Sequence, residues 1–225
     1  MTTAAPAPLP RRDPEARAHL REVAGQGRPV TLARDRSLLV EGPLGDLLPG
    51  GVLQRGTVLA VEGTRGAGAT SLALALAAAV TATGEWAAAV DLEGTLGVEA
   101  AAAAGVVLER FPVVRGVSPD RWATVVAALL DGVTLVLAEA PRHTRAGDAR
   151  RLAARARERG AVLIALPVPG AHWVGDVALR LVAEGGPWSG LAPGAGLLAD
   201  RALKVRVEGR GEAARPRRGE LAQAG

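Results

Sequence analysis

The chain has no cysteine and no tyrosine, one methionine, one phenylalanine and, in 225 residues, a single lysine, Lys204. Without cysteine there is no disulfide framework, no cysteine-based zinc site and no cysteine nucleophile. Phe111 and four tryptophans supply the 2% aromatic content, so a core has to be built from Ala, Val and Leu, side chains that favour close packing of helices on a sheet. His19, His143 and His172 are scattered and read as surface or loop residues. Residues 1–10 lack a basic-then-apolar leader pattern, and residues 72–80 are too short and alanine-rich to cross a bilayer. No membrane contact and a cytoplasmic location are expected, with nucleoid association if DNA is a partner.

What is present is length enough for one well-buried domain, with 48% hydrophobic residues. The richness in Ala, Gly, Val and Arg fits a GC-rich genome. Residues 201–225 hold seven basic and three acidic side chains and so carry the whole net charge of +4. Three stretches are expected: a leader with a short helix at 1–36, a core at 37–208, and a basic disordered tail at 209–225 carrying Arg210, Arg215, Arg217 and Arg218. Within the leader, residues 14–24 read as a helix with Ala16, Leu20 and Val23 on one face and Arg17 and Arg21 on another. Leu20 is a candidate contact, either for the domain itself or for a partner.

From residue 37 apolar strand-like runs (57–62, 86–91, 111–114, 133–138, 161–166) alternate with helical ones (70–83, a segment ending at 104, 120–130, 146–159). That alternation predicts an α/β fold with a mainly parallel sheet flanked by helices. Residues 177–182 and 202–207 alternate strictly with no helix between them, and are expected to extend the sheet at its C-terminal end as an antiparallel pair.

Between strand 57–62 and helix 70–83 lies Gly63-Thr64-Arg65-Gly66-Ala67-Gly68-Ala69-Thr70-Ser71. Gly63, Gly68 and Thr70 fit the phosphate-loop pattern G-x-x-x-x-G-K-[ST], in which loop amides wrap phosphates, the lysine reaches outer oxygens and the hydroxyl holds magnesium. The lysine position is Ala69. Gly63, Gly66, Gly68, Thr70 and Ser71 are therefore candidate residues of a degenerate nucleotide site. The competing reading is a glycine turn kept because the fold needs a sharp strand-to-helix reversal.

The order of elements resembles the RecA recombinase core. Leu48-Pro49-Gly50-Gly51-Val52 ahead of residues 56–63 is similar to that family's lead into its phosphate loop, and Asp91-Leu92-Glu93 to its Asp-x-Glu after the second strand. Leu203-Lys204-Val205-Arg206-Val207 is similar to the late strand whose basic residues reach a neighbouring subunit's nucleotide. The resemblance covers residues 38–210 and implies a RecA-like P-loop core in which Glu93 would polarise the attacking water. It breaks at the charge-handling positions. Ala69 replaces the lysine, Ala138 and then Glu139 stand where a magnesium-side aspartate is expected, and Leu166-Pro167-Val168-Pro169 replaces an Asn-Gln sensor of the γ-phosphate. The DNA-wrapping loops are replaced by Pro/Gly-rich segments at 167–171 and 185–196, and no remnant of the large C-terminal RecA domain follows.

Phosphoryl transfer depends on positioning and on stabilising charge, so the combined losses imply no hydrolysis. Glu93 is left as a vestigial catalytic residue; no metal and no cofactor are expected, ATP with magnesium being the one to test. A non-hydrolysing RecA-like chain resembles the ImuA and ImuA-prime mutasome accessory proteins of actinobacteria. That resemblance implies an adaptor in the DNA damage (SOS) response, acting in DNA repair by translesion synthesis. Its implied partners are an ImuB-like, catalytically inactive Y-family polymerase relative and an error-prone C-family polymerase, with DNA and self-association as further candidates. Two alternatives stand beside it. One is a weak ATP-binding or ATPase repair protein using Arg65 or Lys204 in place of the lysine. The other is a DNA-binding regulator of recombination, contacting phosphates through Arg210, Arg215, Arg217 and Arg218.

Overall fold

A computed structural model of the chain describes residues 36–192, 194–197 and 199–224. The helix expected at 14–24, with Leu20, lies outside the described residues. The described chain begins with β1 (Ser37–Leu39), α1 (Gly42–Leu47) and β2 (Val52–Gln54); β1 and β2 pair antiparallel in a small two-stranded sheet, with α1 in the connection between them. Then come β3 (Val58–Gly63), α2 (Ala69–Ala82), β4 (Ala87–Asp91), α3 (Val98–Ala103), β5 (Val113–Arg115), α4 (Trp122–Gly132), β6 (Leu135–Ala140), α5 (Ala146–Arg159) and β7 (Val162–Pro167). The chain continues through β8 (Leu179–Gly185), the two-residue strands β9 (Leu191–Ala192) and β10 (Ala195–Gly196), β11 (Asp200–Gly209) and β12 (Arg217–Ala224).

Eight strands form one mixed sheet in the order β12-β11-β8-β3-β7-β6-β4-β5. Neighbours from β8 to β5 pair in parallel, while β11 runs antiparallel to both β8 and β12. The expected α/β class and the sheet's antiparallel extension are both present. Alternation within each strand sorts the core into two layers. Leu59, Val61, Leu135, Leu137, Val162 and Ile164 pack with Leu72, Leu76 and Val80 of α2. Val58, Ala60, Val136, Ala138, Leu163 and Ala165 pack with Trp122, Val126 and Leu130 of α4 and Leu152 and Ala156 of α5. Each fully buried leucine contributes about 1.5–3 kcal/mol of hydrophobic stabilisation. Because α2 turns Ala73 and Ala77 to the sheet, each buried completely, helix and sheet approach closely without aromatic filling. Among the described residues, no helix is long and apolar enough to cross a membrane.

Two expectations need correction. The strand expected at 133–138 is β6, shifted towards the C-terminus, so Glu139 lies within the strand rather than beyond it. The tail expected to be disordered from residue 209 instead forms β12, in register with β11 from Asp200↔Ala224 to Val207↔Arg217. Its inward positions are Arg217, Gly219, Leu221 and Gln223, each at least partly buried; only Leu221 is apolar, so the period of two does not register as hydrophobic alternation. Gly219 is shaped to a neighbour as well. A Cβ there would stand 2.6 Å from Leu47 Cδ2 of α1, so glycine is what lets α1 close over β12.

Candidate functional site

The glycine loop joins β3, in the middle of the sheet, to α2. Gly66 and Gly68 take left-handed φ values of 74° and 100°, a region that glycine enters without a Cβ penalty. Ala67 N–H donates to Thr64 O at 2.9 Å, and Leu72 N–H makes the first helical bond, to Gly68 O, at 2.9 Å. The amides of Ala69, Thr70 and Ser71 have no backbone acceptor among the described residues, as the first turn of a helix requires. They add their dipoles to the positive helix end. Ala69, Thr70 and Ser71 line a cleft of about 750 Å³ together with Gly63, Arg65, Gly66, Gly68, Glu93, Glu139, Arg142, Arg201 and Gln223. The residues expected at 63–71 and Glu93 are thus brought to one place. Lys204 is not among them: it is exposed on β11, opposite Glu220.

Carboxylates at the ends of β4 and β6 form the acidic side of the cleft, and most are engaged. Glu139 Oε2 accepts the amides of Leu92 at 2.7 Å and Glu93 at 3.0 Å. Burial pushes the Glu139 carboxyl above its usual range, and the charges of Asp91 and Glu93 push the same way against those two hydrogen bonds. Asp91, 1% exposed, accepts the amides of Thr95 at 3.0 Å and Leu96 at 3.3 Å and pairs with Arg115 Nε at 2.8 Å. These acids fix the loop after β4. Glu93 is left exposed on the cleft wall. Among the described residues, no three His, Cys, Asp or Glu side chains come together as a metal site. Compared with a magnesium nucleotide, the donor set fits the phosphate chain through free amides and arginine. It fits the metal less well, because Ala138 stands where an aspartate ligand was expected and Glu139 has one oxygen, Oε2, taken by two amides.

The C-terminal hairpin closes the opposite side of the cleft. Arg201 and Gln223 are cross-strand partners on β11 and β12. Arg201 Nη1 donates to Gly66 O at 2.8 Å, its Nε donates to Gly186 O at 3.2 Å, and its guanidinium lies 5.5 Å from the Trp188 ring centroid. Gln223 Nε2 donates to Ser71 Oγ at 2.8 Å, while its Oε1 is buried without a partner. Packing also dictates two of the glycines. A Cβ on Gly63 would stand 2.9 Å from Ala183 O, and one on Gly68 would stand 2.8 Å from Leu203 Cδ1.

On the other face of β3, Glu62 is 6% exposed and ties down the loop after β7. It pairs with Arg180, accepts Trp173 N–H at 3.2 Å and meets His172 Nδ1 at 2.8 Å. Burial alone would raise the Glu62 pKa, but the hydrogen bonds from His172, Trp173 and Arg180 outweigh it and hold the carboxyl below its usual range. Trp173 packs edge-on against Trp122 with ring centroids 6.2 Å apart. This anchored loop carries Val168 and Pro169, which with Pro167 at the end of β7 form a cleft wall.

The tail arginines stand away from the cleft. Arg210 pairs with Asp176 at 2.8 Å, Arg217 Nη1 donates to Leu48 O at 3.1 Å, and Arg215 and Arg218 are exposed. Glu62, Arg201 and Gln223 had no sequence signal as site residues. Their partners are brought together only by the sheet order, Glu62 with Arg180 across 118 positions and Arg201 with Gly66 across 135.

In a comparison with known families, the model of the MT3502 N-terminal domain aligns with residues 46–175, more than half of the chain. No curated protein matches the chain. The matched span runs from α1 past β7 and contains the glycine loop, Asp91, Glu93, Glu139 and Glu62; β8 and the hairpin with Arg201 and Gln223 lie beyond it.

Proposed function

The chain belongs to the MT3502 N-terminal domain family, and from its own residues we propose that it is a RecA-like accessory protein that does not hydrolyse nucleotide. In this reading it acts as an adaptor in DNA-damage-induced translesion synthesis. Its partner is a catalytically inactive Y-family polymerase relative, with an error-prone C-family polymerase as the third member. The observation that carries the non-hydrolysing part is the pairing of Ala69 at the lysine position with a Glu139 carboxylate engaged by the amides of Leu92 and Glu93. Transition-state charge on a phosphoryl group would then meet no lysine, and the acid on β6 already has one oxygen committed to the loop after β4. Further support comes from the arrangement itself: a glycine loop between a central parallel strand and a helix, with acidic side chains at the ends of β4 and β6.

Two measurements test the reading. ATP turnover by the purified chain is expected to stay at the uncatalysed background, and turnover abolished by Glu93→Gln would overturn the non-hydrolysing assignment. The adaptor role is tested by affinity purification from cells after DNA damage. Recovery of the inactive Y-family polymerase relative is expected, and recovery of neither polymerase overturns the role.

A further inference from the structure

Three charged side chains are buried among the described residues: Glu62, Asp91 and Arg201. Glu62 has Arg180 and Asp91 has Arg115 as a charge partner. Arg201, 8% exposed, has two neutral carbonyls, Gly66 O and Gly186 O, and the face of Trp188. Carbonyls and an aromatic face orient a guanidinium without cancelling its charge, and a buried charge is costly unless an opposite one meets it. The fork is nevertheless held in place, with Gly185 leaving it room: a Cβ there would come 3.1 Å from Arg201 Nη2. That nitrogen has no acceptor among the described residues, and Arg201 lines the same cleft as the free amides of Ala69, Thr70 and Ser71.

We infer that the cleft binds the diphosphate or triphosphate group of a small ligand, with Arg201, delivered by β11, supplying the cation that Ala69 does not. The inference rests on the loop being a phosphate-type turn, as in the function proposed above, but requires neither hydrolysis nor a polymerase partner. Helix-end amides and a planar guanidinium match a terminal phosphate, which offers several oxygens to a bidentate donor. The diester of a nucleic-acid backbone bears one charge and has no terminal group to enter the turn. Gln223, on the neighbouring strand, bonds Ser71 at the loop's helical end, so occupancy of the cleft is coupled to the seating of the β11–β12 hairpin.

The experiment is calorimetric titration of the full chain with pyrophosphate, ADP and ATP without magnesium, and with a single-stranded oligonucleotide as the contrasting arm. The variants are Arg201→Gln, Arg201→Lys and Arg201→Gln combined with Ala69→Lys, each checked for an intact melting transition. Wild type is expected to bind pyrophosphate and both nucleotides. Arg201→Gln should lose roughly 10- to 100-fold in affinity, the range of a charged hydrogen bond. Arg201→Lys, which keeps the charge but not the fork, should fall between wild type and Arg201→Gln, and restoring lysine at position 69 should recover binding in the Arg201→Gln background, a rescue that a purely structural arginine would not permit. The inference is overturned if wild type binds none of the three, if Arg201→Gln binds as wild type does, or if only the oligonucleotide depends on Arg201. ATP turnover in the same preparation would overturn the non-hydrolysing function and leave this assignment standing.

Discussion

Replacing Glu62 with alanine removes three interactions at once, and the structure separates them. The Trp173 amide is buried and loses its acceptor, which costs about 1–3 kcal/mol for an unsatisfied group. The Arg180 side chain, 24% exposed, can turn to water, so its share is about 1 kcal/mol. The His172 side chain is 81% exposed and adds little. Glu62→Ala is therefore expected to cost about 2–4 kcal/mol at neutral pH. Glu62→Gln, which keeps a carbonyl oxygen for the Trp173 amide, should cost about half of that. Because the folded-state pKa lies below the ordinary value of 4.5, the stabilisation from the ionised group is complete above pH 4.5 and is lost as pH falls through the lowered value. The gap between wild type and Glu62→Ala should narrow on acidification. Urea denaturation of the three proteins at pH 7 and at pH 3.5 measures it. A cost below 0.5 kcal/mol at pH 7, or a gap that does not change between the two pH values, would refute the assignment of Glu62 as the charged anchor of the loop.

Glu139 has the opposite sign. Its pKa is raised, so the favourable protonated form is complete below the ordinary value of 4.5 and lost as pH climbs through the raised one. Both amides bond Oε2 alone, and Glu139→Gln can keep them without a buried charge, so this variant should be more stable than wild type at pH 7. The difference should close near pH 4, and a less stable variant in a denaturation series at pH 7 would count against the reasoning. Gly219→Val drives a side chain into Leu47 and should cost about 1–3 kcal/mol. Adding Leu47→Ala should recover part of that loss, whereas no effect of Gly219→Val on the melting transition would mean that β12 is not seated on α1.

The parallel half of the sheet was legible because each of its strands is a short apolar run closed by a turn, and α5, expected at 146–159, is observed at those residues. Leu152 and Ala156 repeat at helical spacing there between arginines, so one face identifies itself. Where the sequence was silent, polar residues face inward. Glu139 reads as a strand stop, yet it is a strand residue whose carboxylate reaches the β4 loop. The inward positions of β12 include Arg217 and Gln223, whose partners are Leu48 O and Ser71 Oγ rather than other apolar groups. Hydrophobic patterning cannot register a side chain whose reason for facing inward is a hydrogen bond made more than a hundred residues away. The glycine loop was found from its spacing and Glu93 from the resemblance to the RecA core, but Arg201 was found by neither. Its approach to Gly66 depends on β11 lying beside β8 and β8 beside β3, a neighbourhood that no local pattern encodes.

The glycines themselves are weaker witnesses to a phosphate than their spacing implies. Gly63 is required by the carbonyl of Ala183, and Gly68 by its left-handed backbone and by Leu203, so both would persist in a turn that bound nothing. Only at Gly66 would a Cβ meet no neighbouring atom, and there the requirement is its φ of 74° alone. A glycine turn needed for packing therefore accounts for the pattern at residues 63–68, but it accounts for nothing at residue 201. A hairpin whose task was only to close the sheet edge would place an apolar or uncharged residue beside the loop, as it does two positions later with Leu203. Burying an arginine there without a carboxylate costs stability, and an anion at the ends of the same amides is the partner that would offset that cost.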